Sequence, residues 1–120
     1  VIKTRPRQLD SRLTECGPPA LIIDEGIVLL YNGKNAEDDR TDPSLPKNTY
    51  TVGRVIFDKN DPFKVLSRTD TCLIRPTLAH EVSGQYKSGT VFSEGLVFFK
   101  GRWLLYYGTA DSYVGMAILK

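Results

Sequence analysis

The sequence has few of the residues from which small chemical sites are usually built. It contains 2 cysteines, 1 histidine, 1 methionine and 1 tryptophan in 120 residues. Cys16 and Cys72 are too few for a disulfide framework, and with a lone His80 they do not make a zinc ligand set. They read as two separate half-buried thiols, and neither fixes a compartment, so localisation stays open. No apolar run approaches the ~20 residues of a membrane helix, and nothing resembles a signal peptide. A net charge of +2 is too mild for a nucleic-acid footprint. The basic residues are scattered, apart from Lys3-Thr4-Arg5-Pro6-Arg7, which reads as a solvated connector. Asp38, Asp39 and Asp42 lack the Asp-x-Asp-x-Asp-Gly spacing of a calcium loop. No metal, nucleic acid or membrane partner is therefore expected.

What the sequence does have is strands. Thr90–Phe99, Arg102–Gly108 and Ser112–Ile118 are rich in Val, Phe, Tyr, Leu and Ile, which pack well on a pleated sheet. Lys100-Gly101 and Gly108–Asp111 supply two corners, so the stretch predicts an antiparallel meander. The same unit occurs earlier. Leu21–Gly33 (LIIDEGIVLLYNG) lies over Leu96–Gly108 (LVFFKGRWLLYYG) without a gap, with six of thirteen positions identical. This overlay pairs Tyr31 with Tyr106 and puts the first turn at Glu25-Gly26. Val52-Gly53-x-x-Ile56 repeats as Val114-Gly115-x-x-Ile118.

A repeated meander predicts a β-propeller or another radial repeat, the competing architecture being two hairpins of a β-sandwich. Two four-stranded antiparallel blades are expected, one over 20–68 and one over 90–118, within a single domain that takes in residues 1–120. Two blades cannot close a ring, and the chain begins at Val1. It is therefore read as the C-terminal portion of a larger propeller, whose remaining blades, or a second copy, would cover the open faces.

In chain order, residues 1–13 read as a polar connector or an outer strand. Glu15 precedes the stiff Gly17-Pro18-Pro19 turn, where a carboxylate could be held at a site or simply be solvated. Lys34–Thr49 is a charged loop of the length that often forms a lid or binding loop, and greater mobility than the strands is expected of it. Asn60-Asp61-Pro62 is a turn signal ahead of an edge strand at Lys64–Arg68. His80 reads as structural or exposed.

An ordered set of blocks then resembles a known family. These are Gly17-Pro18-Pro19, Leu29-Leu30-Tyr31-Asn32-Gly33, Tyr50-x-x-Gly53, Asp61-Pro62-x-Lys64-Val65-Leu66-x-Arg68 and Ile74-x-Pro76. Glu81-x-x-Gly84, Val91-Phe92, Gly95 and Tyr106-Tyr107-Gly108-x-Ala110-Asp111 follow. Over about residues 14–118 the chain resembles the C-terminal part of glycoside hydrolase family 130. Members are five-bladed β-propellers that act on β-mannosides as phosphorylases or hydrolases.

The resemblance implies an oligosaccharide substrate and no cofactor, with inorganic phosphate as co-substrate in a phosphorylase. The family's phosphorylases typically have a Lys near the Gly-Pro-Pro turn, a His after the Leu-Leu-x-Tyr strand, and Phe-Pro-Thr-Gly where this chain has Phe92-Ser93-Glu94-Gly95. Here Glu15, Asn32 and Glu94 stand at or near those positions. Carboxylates would repel a phosphate dianion and could instead deprotonate a water, so inverting hydrolysis is expected, with Glu15 or Glu94 as base. The family's general acid, an Asp, belongs to the N-terminal half. Asp111 matches the family's sugar-binding Asp, although it could instead cap its own corner; Asn32 and Tyr107 are further substrate-binding candidates. Trp103 reads as packing. The first alternative is a phosphorylase, with Arg54, Arg68 or Lys87 as anion contacts. The second is a non-catalytic carbohydrate-binding propeller.

Overall fold

The computed structural model describes residues 1–119, and among them regular structure is almost entirely antiparallel β-sheet. Eight strands follow in order: β1 (Leu13–Cys16), β2 (Leu21–Ile23), β3 (Gly26–Lys34), β4 (Tyr50–Phe57), β5 (Val65–Arg68), β6 (Val91–Phe99), β7 (Arg102–Thr109) and β8 (Tyr113–Leu119). A single 3-10 turn covers Ala79–Glu81.

The first sheet runs β1-β3-β4-β5, with β2 also paired to β3. β1 pairs with the Tyr31–Lys34 end of β3 and β2 with its Gly26–Val28 end. The two are thus one edge strand of the sheet, interrupted at Pro18-Pro19, where the backbone lacks two donors. Counted this way the first blade is four-stranded, as expected. The second sheet, β6-β7-β8, has three strands among the described residues.

The strand registers correct the repeat. Tyr31 lies opposite Gly53, and Tyr107 lies opposite Gly115. Ile23 pairs with Gly26 and Phe99 with Arg102, so the equivalent two-residue turns are Asp24-Glu25 and Lys100-Gly101. The structural partner of Tyr31 is therefore Tyr107, one residue beyond the position that the identities select. In a sheet a slip of one residue exchanges the two faces, and Tyr106 is indeed 38% exposed whereas Tyr107 is buried. The reason for the glycines is steric. A Cβ on Gly53 would come within 2.6 Å of Tyr31 Cζ, and one on Gly115 within 2.6 Å of Tyr107 Cζ.

Two apolar clusters hold the sheets. Leu30 and Val52 from the first sheet meet Val91, Leu105 and Tyr107 from the second and form the seam between blades. Leu9, Tyr31, Leu45, Val55 and Phe57 fill the opposite face of the first blade. Val97, Tyr106, Val114, Met116 and Ile118 of the second blade are exposed.

The Lys34–Thr49 loop folds onto the protein. Asn35 is fully buried: its Oδ1 accepts from Ser11 Oγ and the Asp42 N–H, and its Nδ2 donates to the carbonyls of Asp42, Leu45 and Pro46. Leu45 joins the Leu9 cluster.

Candidate functional site

The two candidate bases occupy different kinds of position. Glu15 lies within β1 and pairs with Asn32. Expected as a loop residue just ahead of the Gly17-Pro18-Pro19 turn, it instead extends the sheet and remains exposed. Glu94 is the extra residue of a β-bulge, because Ser93 pairs with Tyr107 and Gly95 with Tyr106. Bulges re-aim side chains and occur often beside active sites. The Glu94 carboxylate lies over Gly108, where a Cβ would stand 3.4 Å from Oε1.

Asn32 belongs to the seam. It has no exposed surface. Its Oδ1 accepts from the Ser93 N–H at 2.7 Å and from Ser93 Oγ at 2.9 Å, while Nδ2 donates to the carbonyls of Cys16 and Ser93. This fills the hydrogen-bonding capacity of the amide, so the geometry does not support the sugar-binding role expected of it. Asn32 instead ties β1, β3 and β6 together and so fixes the neighbourhood of both Glu15 and Glu94.

Tyr107 is also internal. Its hydroxyl donates to Glu81 Oε1 at 2.8 Å. Burial first, and then this bond, push its pKa up to about 12. Burial would raise Glu81, but N–H donors from Leu78 and Thr77 to Oε2, together with Tyr107, outweigh it and leave Glu81 below its ordinary value. The geometry makes Tyr107 a brace rather than a stacking platform.

Tyr31 has the corresponding brace in the first blade. Its hydroxyl donates to the buried Asp10 at 2.7 Å, and Arg5 and Arg68 reach the same carboxylate oxygen at 2.9 and 2.6 Å. Arg68, expected as an anion contact, is thus already held by Asp10 and by the Lys3 carbonyl. Arg5, expected in a solvated connector, is half-buried in this cluster. Asp10 and Glu81 are the polar residues that sequence reasoning passed over. The one local signal was Glu81-x-x-Gly84.

Arg54 and Lys87 are exposed. Neither side chain makes a hydrogen bond or ion pair among the described residues, so both remain available to a ligand. Trp103 packs on Phe98 at 5.2 Å, in keeping with its expected packing role.

Asp111 stands at the β7–β8 corner. Ala110 and Asp111 both have left-handed backbone, with φ of 46° and 54°, which is uncommon for residues with a Cβ. The corner is held by backbone bonds from Ser112 to Thr109 and from Tyr86 to Ala110. The Asp111 carboxylate itself is exposed and makes no hydrogen bond among the described residues. It does not cap the corner and is free to accept.

The profile of family Glyco_hydro_130, described as beta-1,4-mannooligosaccharide phosphorylase, matches residues 5–120. A 1,2-beta-oligomannan phosphorylase of Thermoanaerobacter sp. (strain X514) is 32% identical, over 100% of this chain and 37% of its own length. A structure of a putative glycosidase from Bacteroides thetaiotaomicron is 50% identical with a TM-score of 0.95, and the match covers 98% of this chain and 34% of that one. A third relative, 53% identical with a TM-score of 0.93, covers 96% of this chain and 32% of its own. It is described under the statement that the GH130 family of mannoside phosphorylases contains glycoside hydrolases that target beta-1,2 mannosidic linkages in Candida mannan. The chain thus spans about a third of the length of these relatives. With the family profile matched from residue 5 to residue 120 on antiparallel blades, the chain belongs to glycoside hydrolase family 130.

Proposed function

We propose that the whole protein, of which this chain forms about a third by comparison with its relatives, cleaves β-mannosidic bonds of oligosaccharides. The observation that carries this reading is the family match over residues 5–120. In this chain the reading calls on Asp111 for the sugar and on Glu15 and Glu94 at the reacting face. Asp111 suits a hydroxyl pair, since an ionised carboxylate only accepts and has two oxygens with which to do so.

For the group that takes up the mannosyl residue, the names of the family profile and of the Thermoanaerobacter relative support phosphate better than water. On that reading, of the three expected anion contacts Arg54 and Lys87, both exposed, are available, and Arg68 is not.

Water is the second reading, and a specific observation favours it. Glu15 and Glu94 are exposed carboxylates, at or near positions where the resemblance implies cationic or neutral groups in the phosphorylases. A carboxylate can take a proton from water but repels phosphate. The 53% identical relative, described with hydrolases of β-1,2 mannosidic linkages, supports the same reading. Inverting hydrolysis needs an acid and a base about 6.5–9.5 Å apart, and the acid would come from the rest of the protein.

The test is the first-formed product of the whole protein on a β-linked mannobiose, followed by NMR with and without phosphate. Mannose 1-phosphate formed only with phosphate supports phosphorolysis. Free mannose at a rate indifferent to phosphate supports hydrolysis. No cleavage under either condition overturns the proposal and leaves a binding propeller.

A further inference from the structure

Lys34 is the last residue of β3 and pairs with both Leu13 and Tyr50. Counting along the strands, Lys34 shares a face with Asn32, and Asn32 pairs directly with Glu15. Lys34 and Glu15 are thus diagonal neighbours on one face, close enough for long side chains to meet. The Lys34 ammonium lies 5.1 Å from the centre of the Tyr50 ring and 5.5 Å from that of Tyr86. Such positions over aromatic faces attract a cation. No carboxylate comes within 4.0 Å of it among the described residues.

The platform beneath Lys34 is rigid. Tyr50 packs edge-on against Tyr86 at 5.7 Å and Phe92 at 5.6 Å. The Tyr50 N–H donates to the Gly89 carbonyl, and the Tyr86 hydroxyl donates to the Asn48 carbonyl at 2.7 Å. The Tyr86 N–H donates to the Ala110 carbonyl at 3.2 Å, which fastens the Asp111 corner to the same platform. Three chain segments, at residues 34–50, 86–92 and 110–111, are therefore joined through Tyr86, whose ring lies under Lys34 with that of Tyr50 and whose N–H holds the corner that carries Asp111.

We propose that Lys34 is a specificity-determining residue of the sugar pocket, donating hydrogen bonds to hydroxyls of a neutral hexose whose other hydroxyls donate to Asp111. This extends the mannoside reading above to a residue it does not use. The chemistry selects a polyol over an anion. Each hydroxyl both donates and accepts, so a sugar is satisfied by a cationic donor and a carboxylate acceptor on one rigid surface. A phosphate dianion needs donors alone and would face Glu15 and Asp111. The platform fixes Lys34 before the ligand arrives, which lowers the ordering cost of binding.

The experiment uses the whole protein and two variants, Lys34→Met and Lys34→Arg, with a thermal melt to confirm that each is folded. Binding of mannose, which is not cleaved, is measured by calorimetry, and KM and kcat are measured on a β-linked mannobiose. Lys34→Met is expected to weaken mannose binding by about 10-fold or more and to raise the mannobiose KM in step, since hydrogen bonds to charged groups are worth that much. The expected change in kcat is within about threefold, and Lys34→Arg, which keeps the charge but replaces a compact ammonium with a planar fork, is expected to recover only part of the loss. Unchanged mannose affinity in Lys34→Met overturns the assignment while leaving the mannoside reading intact. So does a shift confined to the phosphate KM. Lys34-dependent mannose binding in a protein that cleaves no mannoside overturns the reading and keeps the site. Tyr86→Leu is a second check: removing one of the two rings beneath Lys34 should weaken mannose binding in the same direction, and unaltered affinity there would count against the platform.

Discussion

The Tyr107 hydroxyl donates to Glu81 Oε1 at 2.8 Å, and the Tyr31 hydroxyl donates to Asp10 Oδ2 at 2.7 Å from the equivalent register of the neighbouring sheet. Each tyrosine crosses a glycine of the next strand, Gly115 or Gly53, and ends on a carboxylate from outside the sheet. The brace recurs, but its anchor does not. Asp10 comes from the segment before β1 and is neutralised by two arginines, whereas Glu81 comes from a 3-10 turn and is held by two backbone N–H groups.

The Tyr107–Glu81 brace makes stability depend on pH at both extremes. Tyr107 is raised from 10.0 to about 12, so its contribution is complete below about 10 and is lost as pH rises towards about 12. Glu81 is lowered, so its contribution is present above the ordinary carboxylate range and is lost as pH falls through its depressed folded value. Tyr107→Phe is expected to cost about 1–3 kcal/mol near neutrality, mainly through the unpaired buried oxygen of Glu81. It should also flatten the alkaline loss. Denaturant melts of the whole protein across pH would check this, and an alkaline limb unchanged in Tyr107→Phe would assign that limb to other groups.

The glycine under each ring gives a steric prediction. In Gly115→Ala the new Cβ would stand 2.6 Å from Tyr107 Cζ, and the ring cannot retreat without leaving Glu81. A loss of about 1–3 kcal/mol is expected, as for other overpacked sites. Gly115→Ala combined with Tyr107→Leu should cost less than the sum of the two single changes, because the clash and the brace vanish together. Simple additivity in thermal melts would show that the ring moves aside freely.

Asp10 carries the opposite risk. It is fully buried, with Arg5, Arg68 and Tyr31 all on its carboxylate. Removing one member of a buried ion cluster leaves uncompensated charge, so Asp10→Ala is expected to cost about 3–5 kcal/mol. Because Asp10 holds residues 5–10 against β5, the loss should appear as early proteolysis within residues 1–12. Wild-type resistance to proteolysis in Asp10→Ala would mean that the apolar contacts of Leu9 suffice.

The strands were legible because β-branched and aromatic residues cluster between Gly- and Pro-marked turns. The register was not. Identities lay Tyr31 over Tyr106, but a face is set by what packs against it, and of the two tyrosines only Tyr107 has a glycine under its ring and a carboxylate at its tip. β1 was missed because Thr14-Glu15-Cys16 looks like a polar lead into a Pro pair; its strand character comes from β3, which pairs with it. Asp10 was invisible for a related reason. Its partners Tyr31 and Arg68 are 21 and 58 residues away, so no local pattern marks it. Asp111 and Glu94 were legible through the family blocks, whereas the bulge that re-aims Glu94 needed the ladder.

The choice of base is the last prediction. Both candidate glutamates are exposed, but their supports differ. Glu15 is fixed by a regular strand pair with Asn32, whose amide is locked by Ser93. Glu94 sits on a bulge over Gly108, next to the same Ser93. If water is the nucleophile and one of these carboxylates takes its proton, the contribution is about 10²–10⁴-fold in rate. In the whole protein, Glu15→Gln or Glu94→Gln should therefore lower kcat by that factor with a much smaller effect on KM, and the other variant should retain most activity. Asn32→Ala, which removes the support without touching either carboxylate, should lower kcat less and also reduce the melting temperature. If phosphate is the nucleophile, neither Gln variant should collapse kcat, and removing a negative charge should lower the phosphate KM. Steady-state kinetics on a β-linked mannobiose with phosphate varied separates the two cases. Full activity with an unchanged phosphate KM in both Gln variants would remove Glu15 and Glu94 from the reacting face altogether.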